Sequence, residues 1–161
     1  MKATRKTIHY RGGIVRFALP SDWVEEYEPD GGGTFYEDRP DSGTLRLSVL
    51  GFESHKPAEE AASTVFPQAE AELLPSGFWM RRDLVPAVEE GETIHIHRWE
   101  IAIPIPPHGL RLACFTHTVV AGQETDRAIA AELKMVDECI RAAEFGREAG
   151  VSGSYYHERG S

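Results

Sequence analysis

The chain reads as an α+β domain, an antiparallel sheet of about six strands flanked by helices. Three observations predict this. Residues 78–120 hold three successive strand patterns separated by turn residues. A helical stripe, Ile129, Leu133, Val136 and Ile140, follows them. Apolar residues make up 41% of the 161 positions and are interleaved with charge, which fits one globular domain with a core of its own.

Thr7 to Tyr10 and Ile14 to Leu19 are predicted strands joined at Arg11-Gly12-Gly13, where glycine supplies the positive φ of a tight hairpin. Pro20 ends the second. Glu28 to Gly33 is expected as a loop, Thr34 to Glu37 as a short strand, and Asp38 to Gly43 as a turn. From Thr44 to Phe52, Leu45, Leu47 and Val49 alternate with Arg46 and Ser48, the pattern of a half-buried strand. Pro57 suits a helix start, with Glu59 and Glu60 favoured there by the helix dipole. That helix is expected to reach about Phe66, with Pro67 breaking it and a second helical piece running to Leu74.

The meander comprises Phe78 to Glu89, Glu92 to Ile103 and Leu110 to Val120. Pairing Glu89 with Glu92 across a two-residue turn sets Phe78, Met80, Leu84 and Val88 on one face with Trp99, Ile101 and Ile103. Pairing Ile103 with Leu110 adds Leu112 and Cys114 to that face. The other face then sets Asp83 against Arg98 and Arg81 against Glu100. Trp79 falls on this wetter face and Trp99 on the apolar one. A helix from Glu124 or Thr125 to about Phe145, capped by Gly146, is expected to cover the apolar face. Residues 1–146 form the domain, and 147–161, with Tyr155, Tyr156 and His157, are expected to be a flexible tail.

The formal net charge of −9 argues against a nucleic-acid partner, which requires a basic footprint. Residues 22–41 are the acidic extreme: Asp22, Glu25, Glu26, Glu28, Asp30, Glu37, Asp38 and Asp41 against Arg39 alone. Such a stretch is either a solvated loop or a docking face for a basic partner. Tyr27 and Tyr36 beside it suit an interface, since the ring buries area while the hydroxyl stays wet. Cys114 and Cys139 read as packed thiols of a reducing compartment. No apolar signal segment or membrane span is seen, and Asn is absent, so no N-glycosylation site exists. The expected location is cytoplasmic.

Phe17-x-Leu19-Pro20-x-x-Trp23, followed by the element order just given, resembles the PsbP/Mog-like superfamily over about residues 8–145. The resemblance implies an α/β/α sandwich around an antiparallel sheet. It implies protein binding rather than catalysis: one member binds the GTPase Ran and others sit on photosystem II. Bacterial relatives include envelope proteins and chaperones of secreted toxins. None of the Ran-binding or photosystem residues can be matched here, and the missing export signal departs from the exported members.

His95-Ile96-His97 is the one constellation with metal-ligand spacing, two histidines on one face of a strand. A third ligand is required, and His117 is the candidate. With Ile103 opposite Leu110, however, His117 lies opposite Ile96 on the other face, and His95 and His97 are expected to bond threonines instead. Neither a nucleophile elbow nor a Walker loop is present, and Gly31-Gly32-Gly33 precedes a strand rather than a helix. The leading reading is a non-catalytic protein-binding, adaptor or chaperone-like accessory module without a cofactor. Its candidate surface is Trp23, Glu25, Glu26, Tyr27, Glu28 and Tyr36, for an unknown protein partner, a basic one being suited to the acidic stretch. The alternative is a small-ligand or metal-dependent enzyme using His95 and His97. A homodimer is compatible with either.

Overall fold

The computed structural model describes residues 4–29, 31–40 and 42–146. Among these residues, ten strands form two sheets, accompanied by two α-helices. The larger sheet has seven strands in the order β3 (Trp23–Tyr27), β4 (Gly33–Glu37), β5 (Thr44–Glu53), β9 (Gly109–Val120), β8 (Glu92–Ile105), β7 (Trp79–Glu89) and β6 (Ala71–Leu73). The smaller has three: β1 (Arg5–Tyr10), β2 (Val15–Pro20) and β10 (Glu144–Phe145), with β2 in the middle. Every pairing is antiparallel. The α+β class therefore holds, while the expected single sheet of six strands becomes seven plus three.

The core lies between the sheets. Val15, Phe17 and Leu19 alternate inward from β2, and Phe17 sets its ring edge-on to Phe35 of β4 and Phe115 of β9, with centroids 5.5 and 5.4 Å apart. Helix α2 (Arg127–Arg141) packs on the same inner face, where Val136 and Ile140 join this core. Asp126 caps it, its carboxylate accepting from the N–H groups of Ala128 and Ile129. Helix α1 (Ala58–Thr64) lies on the outer face over β8 and β9. There Ala62 and Phe66 meet Ala102 and Leu110, with Trp79 and Leu112 alongside.

The β7–β8 hairpin forms as expected. Glu89 pairs with Glu92, and Glu90 (φ 51°) with Gly91 (φ 78°) makes a turn whose twist suits the strands. Arg98 and Arg81 reach across the outer face to Asp83 and Glu100, each at 2.6 Å, and the Arg98 guanidinium holds the Asp83 carboxyl below its ordinary value.

The β8–β9 register differs from expectation by one residue. Ile103 faces Arg111, not Leu110, because β8 continues to Ile105 and the turn is only Pro106-Pro107-His108. Arg111, Ala113, Phe115, His117 and Val119 consequently point inward, and Leu112 and Cys114 lie on the outer face.

Several boundaries also change. The acidic loop begins as strand β3, which bonds along β4. The piece after Pro67 is a 3₁₀ turn (Gln68–Glu70) leading into β6, not a second helix. Helix α2 ends at Arg141 with Ala142 as its C-cap, and the N–H of Gly146 instead donates to Ile14 O. The expected tail, 147–161, lies outside the described residues, as do Asp30 and Asp41.

Phe17→Ala is expected to cost about 3–5 kcal/mol, because it empties the contact that joins the two sheets. Chemical denaturation of the variant checks this.

Candidate functional site

The first candidate region is the sheet edge at β3. Trp23 does not belong to its surface. It is 4% exposed, and its ring stacks on His117 with centroids 6.4 Å apart. Odd-numbered residues of β3 face the core side, so Trp23 packs while Glu26 points outward, and Glu28, just past the strand, lines a cleft with Thr34, Arg46 and Ser48. The others stay accessible: Glu25, Glu26 and Glu28 are exposed, Tyr27 is 51% exposed, and Tyr36 is half-buried.

These groups hold one another. Tyr27 donates its hydroxyl to Glu25 at 2.7 Å and Tyr36 donates to Glu26 at 2.8 Å. Lys6 of β1 pairs with Glu25 at 2.7 Å and also donates to the Trp23 carbonyl. Bonds from Lys6 and Tyr27 put the Glu25 carboxyl below its ordinary value. The Tyr27 hydroxyl is pushed up by partial burial and by Glu25, and that of Tyr36 by its bond to Glu26. The result is an ordered acidic strip, with two carboxylates fixed by phenols.

The second region is the polar end of the inner face. The observed register places His97 of β8 directly opposite His117 of β9. This corrects the expectation that His117 points away. His95 and His97 do not bond threonines. Both bond Oε2 of Glu124, His95 through Nδ1 at 2.8 Å and His97 through Nε2 at 2.9 Å. Arg82 Nη2 lies 3.3 Å from Nδ1 of His97. A guanidinium only donates, so Nδ1 accepts and His97 is neutral with its proton on Nε2. Burial lowers the His97 pKa, and the charges of Arg82 and His117 add to this, against Glu124. Burial pushes the Glu124 carboxyl up, but its bonds from His95 and His97 outweigh this and leave it low. Arg82 also lies over the Trp99 ring at 4.5 Å and beside Asp137 of α2 at 3.6 Å.

His117 has a separate partner. Its Nε2 donates to Oε2 of Glu132 at 2.7 Å, and both side chains are buried. Glu132 also accepts from the Gly43 N–H at 3.0 Å and from Arg39 at 3.1 Å. Arg39 in turn holds Glu37. A buried carboxylate on α2 thus ties the helix to β9 and to the β4–β5 turn.

Chemically, most of this end is satisfied from within, although the buried Nδ1 of His117 has no hydrogen-bond partner among the described residues. Both ring nitrogens of His97 are occupied, and among the described residues no group of three or more His, Cys, Asp and Glu is placed to hold a metal ion. A cleft of about 270 Å³ lies beside the β7–β8 turn, lined by Glu89, Glu90, Glu92 and Gln123. Another of about 200 Å³ lies on the outer face among Glu28, Thr34, Arg46, Ser48, Cys114 and Thr116. His95 and His97 line neither. Burial, with Glu100 nearby, raises the Cys114 thiol, so it is a poor nucleophile there.

Sequence reasoning missed Glu124, Glu132, Arg82 and Gly43. Asp126, an N-cap just past Glu124, was the available signal that Glu124 precedes the helix and sits at the strand end.

No family model matches the chain, and no curated protein matches it. Two solved structures resemble its fold. One is a protein of Bacteroides thetaiotaomicron VPI-5482, at 20% identity and a TM-score of 0.61 over 92% of this chain. This chain spans 50% of that protein's length. The other is LpqN of Mycobacterium tuberculosis, described as involved in cell envelope biogenesis, at 12% identity and a TM-score of 0.58. That match covers 84% of this chain and 88% of LpqN. At these identities the likeness is one of fold.

Two outcomes follow from the buried groups. A Cβ at Gly43 would overlap His117 Nε2 and lie 2.8 Å from Glu132 Oε2. Gly43→Ala is expected to destabilise by about 1–3 kcal/mol, read as a lowered denaturation midpoint. The second concerns pH. Because the folded pKa of His97 lies below its unfolded value, its contribution is intact at neutral pH. It is lost as pH falls through about 6.5, where the unfolded chain takes up a proton that the folded one refuses, at up to about 1.4 kcal/mol per pH unit. His97→Gln should flatten the stability profile between pH 7 and 5.5, roughly the span of histidine titration. An unchanged slope would remove His97 as its source.

Proposed function

We propose that the chain is a non-catalytic protein-binding or accessory module that presents Glu25, Glu26, Tyr27, Glu28 and Tyr36 to a basic protein partner. The observation carrying this reading is the ordered acidic strip at the sheet edge, with exposed carboxylates fixed by Tyr27 and Tyr36. Ordering these groups before contact lowers the entropy lost on binding. Their field steers a basic surface toward the edge. The PsbP/Mog-like resemblance, carried by Phe17-x-Leu19-Pro20-x-x-Trp23, belongs to this proposal and supports protein binding. Among the described residues no helix is long and apolar enough to cross a membrane. A cytoplasmic accessory role is the working assignment, and the likeness to LpqN makes a role at the cell envelope its competitor.

A second reading, small-ligand chemistry at His95 and His97, is favoured by one observation: both imidazoles converge on a single Glu124 oxygen.

Affinity capture with the tagged full chain separates the two. A stoichiometric protein partner is expected, retained at low salt and weakened at moderate salt. Glu25→Gln, Glu26→Gln and Glu28→Gln together should lose it, whereas His95→Gln should not. Capture insensitive to the triple change would refute this surface.

A further inference from the structure

The seven-stranded sheet leaves strand edges without a neighbour at three stretches longer than three residues, among the described residues. One is β3. Another is β7 beyond Arg81, since β6 pairs only with Trp79 to Arg81. The last is β5 beyond Leu47, because β4 ends at Gly33 opposite it. An open edge is a template for another strand, and proteins defend edges with charge or proline.

Two of the three are defended. Along β3, Glu25 and Glu26 are charged, and the Trp23 carbonyl already accepts from Lys6 at 2.6 Å. On β7, Leu74 N–H donates to Phe78 O, which makes the even-numbered residues face away from β8. Pro86 is one of these and offers no N–H.

The stretch of β5 from Val49 to Glu53 has neither defence in its middle. Ser54 N–H donates to His108 O at 2.8 Å, so even-numbered residues of β5 bond to β9. The peptide groups of Val49, Gly51 and Glu53 therefore face the open side. The side chains beside them are apolar and uncovered: Leu50 is 55% exposed and Phe52 is 45%. Helix α1 does not shield them, since it packs over β8 and β9. Glu53 closes one end of the stretch with a carboxylate, and at the other Glu28 lines a cleft together with Arg46 and Ser48.

We propose that this edge takes up an extended apolar segment of a partner protein, with basic residues at both ends, as an added strand. This rests on the protein-binding reading and names the chemistry of the partner. Main-chain bonds to Val49, Gly51 and Glu53 supply affinity, Leu50 and Phe52 receive alternate apolar side chains, and the two carboxylates select the flanks. Self-pairing of two copies about Gly51 is disfavoured, because it sets one copy's Glu53 opposite Val49, on the side of Glu28. A basic-flanked strand meets the same two carboxylates favourably.

The test titrates acetyl-Lys-Val-Thr-Val-Thr-Val-Lys-amide into the isotopically labelled full chain, followed by amide resonances and hydrogen exchange. The amides of Val49, Gly51 and Glu53 are expected to shift and to slow in exchange by about tenfold or more. Those of Leu50 and Phe52, already bonded to β9, should change little. The Glu-flanked peptide should bind more weakly, with the difference lost at high salt. Gly51→Pro removes an outward N–H and leaves the bonds to β9, so it should abolish the effect. If that variant does not fold, Leu50→Lys with Phe52→Lys at the exposed positions should abolish it instead. No change at these amides, equal binding of both peptides, or a dimer in sedimentation that Gly51→Pro dissolves would each overturn the proposal. Partner capture that survives Gly51→Pro but fails with the Glu25, Glu26 and Glu28 changes would overturn strand addition and leave the protein-binding reading standing. Peptide binding at β5 with no captured partner would support strand addition and refute the acidic strip as the capturing surface.

Discussion

The pairing of β8 with β9 decides what the two largest strands of the sheet bury. Side chains on a strand alternate with period two, so one register choice sends every residue of β9 inward or outward together. The choice is made at Pro106-Pro107-His108, a three-residue turn that lets Ile105 pair with Gly109. From it follow the inward Phe115 that meets Phe17, the inward His117 under Trp23, and the inward Arg111 that donates to the Gly146 carbonyl. The outward Leu110 and Leu112 give α1 its seat. The two helices occupy opposite faces of the sheet because this register gives each face its own apolar residues.

The same register carries a polar cost that α2 and its approach offset. Turning His117 inward buries an imidazole completely, which is unfavourable unless it finds a partner. Glu132 provides one, and the Gly43 N–H with Arg39 keeps that carboxylate from being a lone buried charge. Glu124 does the equivalent for His95 and His97 on the preceding turn. Asp137 takes the Trp99 indole N–H at 2.8 Å, and one of its oxygens pairs with Arg141. The carboxylates of this segment therefore fix its position on the sheet through specific bonds, while Ile129, Val136 and Ile140 supply the apolar contact. A convergence of histidines and carboxylates has an internal explanation here, in packing a helix over a polar strand end. That is why the proposed function is placed elsewhere.

The sequence was most legible where local chemistry acts alone. The Glu90-Gly91 turn fixed the β7–β8 register and both cross-strand ion pairs, and the alternation of Leu45, Leu47 and Val49 gave β5 its buried face. It was least legible where distant segments decide. Trp23 to Tyr27 carries too many acids to read as a strand, yet β4 supplies its bonds. The Pro-rich 104–109 segment reads as a loop, yet Pro104, Ile105 and Gly109 are strand, which misplaced Leu112, Cys114 and His117 together. Of the proposed surface, the exposed carboxylates and Tyr27 were legible as polar groups in an acidic stretch. The burial of Trp23 was not, since it depends on His117 turning inward beneath it.

An antiparallel sheet with one wet face is ordinary, and its wet face is normally polar. On β5 the outer face keeps that rule at Arg46 and Ser48 and breaks it at Leu50 and Phe52. The break begins where β4 stops, so the same residues lack both a covering layer and a neighbouring strand. Either deficiency alone would be a common surface feature. Together they leave main-chain donors and acceptors beside uncovered apolar side chains, the two things a bound strand uses at once. The acidic strip on β3 and β4 stands on the same flank of the sheet, which begins at β3. A partner attracted by its charge would arrive beside the open step of β5, and the two surfaces can act in sequence, one steering the encounter and the other supplying the bonds.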